Sequence, residues 1–236
     1  MWFHRRFINS KIKLGEAVGK FGILPFFPNN IHGLSVEEMC VPGMLFGGNY
    51  DEGCWEWKGP VIRQRTSAYG KFFRRKAGFV SASLLADFLN FRRARYSIKR
   101  GTTEEMLYDI IRENDSLSST ELKSFIFGQK SRRNFDELPE LYENYINIGK
   151  RKSLESPLQR LQMGGWIIIS DFEYKKTKKG ERYGWGVARY STPEIIFESE
   201  ILETYNTPEE SLDILIKKMK KIFPFSTRSG WEKLLL

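Results

Sequence analysis

Between Lys175 and Arg182 the chain sets Lys175, Lys176, Lys178, Lys179 and Arg182 against the single acid Glu181. Like charges crowded into so short a stretch repel one another, and a polyanion placed opposite relieves that repulsion. The plainer alternative is a solvated edge hairpin kept from aggregating by its lysines. A second basic cluster, Arg74-Arg75-Lys76, falls between two runs of strand-forming residues. A third set, Lys152, Ser156, Gln159, Arg160 and Gln162, falls on one side of a helical pattern and suits base edges and phosphates. One carboxylate stands among large aromatics, in Trp55-Glu56-Trp57, with Arg63, Gln64 and Tyr69 following. On an alternating strand Glu56 would share neither face with the tryptophans, which leaves core aromatics and a solvent-facing acid as the bland reading. Only His4 and His32 offer imidazoles, so histidine triads and histidine-ligated metals have little material. Cys40 and Cys54 form no close pair and read as ordinary thiols.

These side chains sit in a chain of 236 residues with 41% apolar and 14% aromatic content, enough for a core. Lysine and arginine exceed the acids by 38 − 29 = +9, which favours anionic partners. No apolar run is long enough to span a bilayer, and Met1 to Arg6 lacks the apolar core of a secretory signal. The expectation is a cytoplasmic protein without cofactor, metal or membrane partner, nucleoid-associated if it binds DNA.

The elements that position the clusters follow from caps and periodicity. Thr102 with Glu105, and Ser118 with Glu121, have capping-box spacing. Leu107, Ile110 and Ile111 repeat at helical intervals after the first box, and Leu122, Phe125 and Ile126 after the second. A third helix is predicted from Ser153 to Met163, with Leu154, Leu158 and Leu161 inward and Gly164-Gly165 as its stop. Trp166 to Ile169 and Tyr183 to Tyr190 then read as a β-hairpin whose tip is the lysine cluster. Three helices followed by a basic hairpin predict an α+β chain. Its core is a winged helix, a helix-turn-helix with a β-hairpin wing, carrying an N-terminal α/β extension and a C-terminal helix.

The expected division is an N-terminal α/β subdomain over 1–100, a winged-helix region over 101–197 and a C-terminal packing helix over 198–236. The first part holds a helix over Lys13 to Phe21, a short one at Val36 to Met39, a tryptophan-bearing strand, and a hairpin turning at Arg74-Arg75-Lys76. A helix from Ser81 through Arg93 leads into a basic connector. An inserted helix is expected near 136–145, and Thr207-Pro208-Glu209-Glu210 opens the last helix. No internal repeat is visible.

The phrases Trp-Glu-Trp-Lys-Gly-Pro, Tyr-Gly-Lys-Phe-Phe and Tyr-Gly-Trp-Gly-Val-Ala-Arg-Tyr-Ser-Thr-Pro-Glu resemble those of the bacterial AlkZ-related proteins. The order of elements, with Leu158-Gln159-Arg160-Leu161 ending the third helix, is similar at a greater distance to the AlkZ-type winged-helix DNA glycosylases. The resemblance runs from about Lys13 to Phe197. It implies double-stranded DNA, damaged or not, as partner, and a link to removal of alkylated or crosslinked bases. Those enzymes carry a Gln-x-Gln or Gln-x-Asp motif that positions water. The corresponding stretch here, Gly22 to Pro28, holds no polar pair, and Gln64, Gln129, Gln159 and Gln162 never form the motif. If excision survives, Glu56 and Gln64 are the catalytic candidates, and Trp55, Trp57 and Tyr69 the pocket for an extruded base. The readings in order are therefore a backbone-gripping DNA-binding protein, an active DNA glycosylase, and a non-catalytic protein-interaction module using the insertion.

Overall fold

In the computed structural model, which describes residues 7–47, 53–127, 153–180 and 182–236, Ser10 opens the first helix by accepting from the Lys13 amide. This helix, α1 (Lys11–Phe21), turns Leu14, Ala17, Val18 and Phe21 inward. It is followed by β1 (Ile23–Pro25), α2 (Val36–Met39), α3 (Cys54–Arg63), β2 (Ser67–Phe73) and β3 (Lys76–Ser81). A longer helix, α4 (Ala82–Arg95), crosses to α5 (Thr103–Glu113), β4 (Leu117–Ser118), α6 (Ser119–Phe127), α7 (Glu155–Met163), β5 (Ile168–Lys176) and β6 (Arg182–Ser191). The short α8 (Pro193–Ile196) and α9 (Ser199–Leu202) precede α10 (Pro208–Ile222) and α11 (Arg228–Leu235).

Among the described residues these elements repeat one topology twice. Each time the order is helix, short strand, helix, helix and hairpin, and the two antiparallel sheets run β1-β3-β2 and β4-β6-β5. In both, the first short strand pairs with the hairpin's return strand, Ile23 opposite Val80 and Leu117 opposite Tyr190. The sequence shows no such repeat, because topology depends on where breaks and apolar stripes fall and not on which residues fill them.

Of the two predicted boxes, the one at Ser118 closes in full and the one at Thr102 only in half. Ser118 and Glu121 exchange hydrogen bonds with each other's amides, as do Thr207 and Glu210, while Thr102 accepts from the Glu105 amide. The segment expected as a tryptophan-bearing strand is instead α3. Cys54, Trp57, Lys58, Val61 and Ile62 recur at i, i+3, i+4 spacing and are all buried, and that burial carries the helix through Pro60. The expected helix near 136–145 lies outside the described residues. Cys40 and Cys54, read as a distant pair, have their sulfurs 2.7 Å apart in the core. The chain doubles back between them, with the Cys54 and Trp55 amides donating to Met44 and Leu45.

Two hydrophobic cores result. A small one gathers α5, α6 and α7 around Leu107, Ile111, Leu122 and Leu161. The large one joins the first repeat to the start of β5 and to α10 and α11, through Leu215, Met219, Trp231 and Leu235. The two meet at the end of α4. There Arg92 is 0% exposed and donates to Met163 O at 2.5 Å, to Phe72 O at 2.9 Å and to Leu235 O. Burial draws its guanidinium down to about 10, so it stays charged at neutral pH. Arg93 beside it pairs with Glu194 at 2.6 Å and lies 4.7 Å from the Trp166 ring centroid. Gly165 at φ 70° turns the chain from α7 into β5, where a Cβ would stand 2.4 Å from Leu89.

Replacing Arg92 by alanine removes the donor from carbonyls of three distant segments, two of them in buried contacts. Arg92→Ala is expected to lower the urea unfolding free energy by roughly 3–5 kcal/mol.

Candidate nucleic-acid interface

The second hairpin lies along α3. Near its start Asp171 accepts from Arg63 at 2.7 Å. Farther out Lys58 stands between two rings, 3.9 Å from the centroid of Trp55 and 4.4 Å from that of Phe172, and donates to Trp55 O. Lys58 is 2% exposed, and burial lowers its ammonium to about 8 against an opposing pull from Glu56. Beyond it Trp185 meets Trp55 edge to face at 6.0 Å.

Trp55 is the hub of an aromatic cluster. Phe26, Phe46 and Phe27 lie 5.3, 5.7 and 6.2 Å from it. Phe46 is 54% exposed and Trp185 72% exposed, so the cluster surfaces as an aromatic edge. Both basic hairpin tips attach to it. The Phe26 amide donates to Ala77 O, next to Arg74-Arg75-Lys76, and Trp185 is two residues from Tyr183, the cross-strand partner of Lys175.

The first tip is a two-residue turn with Phe73 paired to Lys76, and both residues have positive φ, 50° at Arg74 and 68° at Arg75. Such a turn prefers Asn-Gly, and a residue with a Cβ costs roughly 1–2 kcal/mol there. Strain of this kind collects at functional sites. At the second tip Lys175, Lys176, Lys178 and Lys179 are exposed. Among the described residues no acid pairs with any of these seven cations, whereas Arg63, Arg93, Arg112, Arg160, Arg189 and Arg228 each hold one.

The other predicted site residues scatter. Gln162 was expected to face DNA but is buried, accepting from the Lys71 amide at 3.0 Å and donating to Leu158 O. Its i, i+4 relation to Leu158 places it on the apolar side of α7. Arg160 pairs with Glu104 at 3.2 Å, and Gln159 is half-buried. From the base of the hairpin beside α7, roughly 27 Å of strand lead to the lysine tip, so α7 and the tip do not form one compact basic patch. Lys152 and the side chain of Arg182 lie outside the described residues.

Glu56 and Gln64 stand at opposite ends of α3, about 12 Å apart along its axis. They cannot orient one water together. Trp55 and Trp57 are two apart on a helix and face different sides. Tyr69 is sealed in the core 4.6 Å from Phe79, where burial drives its hydroxyl pKa up. The expected base pocket is therefore not assembled. The residues missed were Phe46 and Trp185. A tryptophan between Gly184 and Gly186 on a strand was the available signal for the latter.

The sequence profile of the AlkZ-related family matches residues 8–236. No curated protein sequence matches the chain. Among solved structures, the Streptomyces sahachiroi DNA glycosylase AlkZ is similar at a TM-score of 0.47 and 12% identity. The alignment takes in 92% of this chain and 53% of that one, so the chain spans about half the length of that enzyme.

Two outcomes are expected. In the unfolded chain Lys58 titrates near 10.5 and in the native chain near 8, so between those values the unfolded state holds a proton that the native state lacks. Stability relative to Lys58→Met should rise across that window, by on the order of 3 kcal/mol in urea titrations. A flat difference would mean the ammonium is solvated. Arg74→Asn with Arg75→Gly should stabilise the fold by roughly 1–2 kcal/mol while weakening anion binding, measured by thermal melts and heparin retention.

Proposed function

The chain belongs to the AlkZ-related family, and we propose that it binds duplex DNA, chiefly by the sugar-phosphate backbone, through its two basic hairpin tips. Each repeat is read as a winged helix. The order helix, strand, helix, helix and hairpin, with the first strand on the hairpin's return strand, is what that reading needs. The third helix of each repeat, α3 or α7, is packed against the other repeat, and this turns the binding role over to the wings. Contact with phosphates positions a protein on DNA without reading sequence, so selectivity for base sequence is expected to be weak.

One observation carries the proposal. Seven exposed cations on two tips have no acid among the described residues, and both tips are anchored to one aromatic cluster. Phosphates would supply the missing counter-charge. The family supports a role connected with DNA repair. Glu56 and Gln64 share no water and the chain lacks the glutamine motif, so binding, and not base excision, is the function proposed.

Changing Lys175, Lys176, Lys178 and Lys179 to alanine tests this directly in mobility-shift titrations over a salt series. The affinity should fall at least about tenfold near 0.1 M salt, and the slope of log K against log salt should shrink by about 3. An unchanged slope would remove the second tip from the interface.

A further inference from the structure

We infer that the aromatic edge of Phe46, Trp55 and Trp185 is a stacking surface for an unpaired nucleobase in a DNA strand held by the two tips. The inference rests on the DNA-binding reading and adds to it a substrate class, duplex DNA carrying an unstacked base.

Trp185 is 72% exposed, whereas Arg189 and Tyr190 farther along the same strand are half-buried. A tryptophan side chain left in water forgoes much of the burial that usually justifies its size. Its neighbours in the chain are both glycine. Gly184 adopts φ 75°, a conformation that favours glycine, and a Cβ at Gly186 would stand 2.9 Å from the Tyr174 ring. The Tyr174 ring thus covers the strand face opposite the indole, and Trp185 alone projects from the near face at this point.

The edge is also held in place. Trp55 is braced by Phe26 at 5.3 Å and by the Lys58 ammonium at 3.9 Å, and Trp185 leans on it at 86°. Trp55 is already surrounded by Phe26, Phe27, Phe46 and the Lys58 ammonium, so the ring surface open to a further ring is that of the exposed Trp185. Gly53 explains why the chain carrying Phe46 can come so close. A Cβ there would lie 2.3 Å from the Gly47 amide nitrogen, so only glycine lets these two strands of loop touch.

Charge selects the occupant. A purely apolar partner would place its own neutral surface against Lys175, Lys176, Arg74 and Arg75, all exposed and lacking described acids. A nucleic-acid strand brings phosphates to those cations and a π-face to the tryptophans in the same segment. Base-on-aromatic stacking tolerates any base. Within continuous duplex the base faces are already stacked and out of reach, so the edge acts only where a base is bulged, mismatched or opposite a gap.

The test is fluorescence anisotropy of the full chain with a labelled duplex and with the same duplex carrying one unpaired 2-aminopurine. The bulged duplex should bind about tenfold tighter, with the 2-aminopurine emission quenched on binding. Trp185→Ala should abolish both the preference and the quenching. Trp185→Phe should keep part of the preference, since it retains a ring. Equal affinity of the wild-type chain for the two DNAs, or a preference that survives Trp185→Ala, would overturn the inference and leave duplex binding standing. A concentration-dependent dimer lost in Trp185→Ala, with no distinction between the DNAs, would assign the edge to a second copy and would also overturn it. Binding to neither DNA at low salt would remove the DNA-binding reading itself.

Discussion

A guanidinium taken wholly out of water must find acceptors for its N–H groups or destabilise the fold by several kcal/mol. Arg92 meets that condition only because Phe72, Met163 and Leu235 deliver carbonyls from three segments far apart in sequence. The relation runs both ways. Those carbonyls lie near the ends of a strand, a helix and the last turn of the chain, and each would lose this donor without the arginine. One side chain thus sets how the first repeat, the second repeat and the C-terminal helices stand relative to one another. Tyr96 adds to the same junction by donating to Leu236 O, and Arg93 by donating to Gly165 O.

From that junction the placement of the hairpin follows. With α7 fixed at Met163, the turn at Gly164-Gly165 aims β5 across α3, and the Arg63–Asp171 pair and the Lys58 cage hold it there. Both ion pair and cage cost something. The ion pair is half in solvent and contributes at most about 1 kcal/mol, while Lys58 is a cation kept from water with rings as its main company. What the arrangement gains is position. The hairpin of the second repeat is clamped on α3 of the first, so Trp185 reaches Trp55 and the two basic tips share an aromatic base.

Much of this was legible in residue order. Capping-box spacing at Thr102 and Ser118 and the Thr207-Pro208 start marked three helices, and the β-branched runs around Arg74 and Lys178 marked two hairpins. The misreadings have physical causes. In α3 the Trp-Glu-Trp alternation suggested a strand, while the true helical stripe contained a lysine that does not register as apolar until its aromatic cage is seen. Gln162 and Arg92 sit on apolar stripes beside Leu158 and Phe88, and their polarity argued for the surface when their spacing argued for the core. The topological repeat and the Cys40–Cys54 contact are products of tertiary folding, for which a single sequence holds no local signal. Of the candidate site, the cationic tips were visible in the sequence. The aromatic edge that joins them was not, since Phe46, Trp55 and Trp185 come together only when the second hairpin is laid on α3.

We propose that the two basic hairpins, one from each repeat, act as one DNA-facing surface. Amide hydrogen exchange of the full chain, with and without duplex DNA, measures this most directly. DNA is expected to slow exchange together at the turn around Arg74 and Arg75 and along Lys175 to Trp185, while the lysine-bearing face of α10 is unchanged. Protection confined to one tip, or found instead at Lys217 to Lys221, would contradict it.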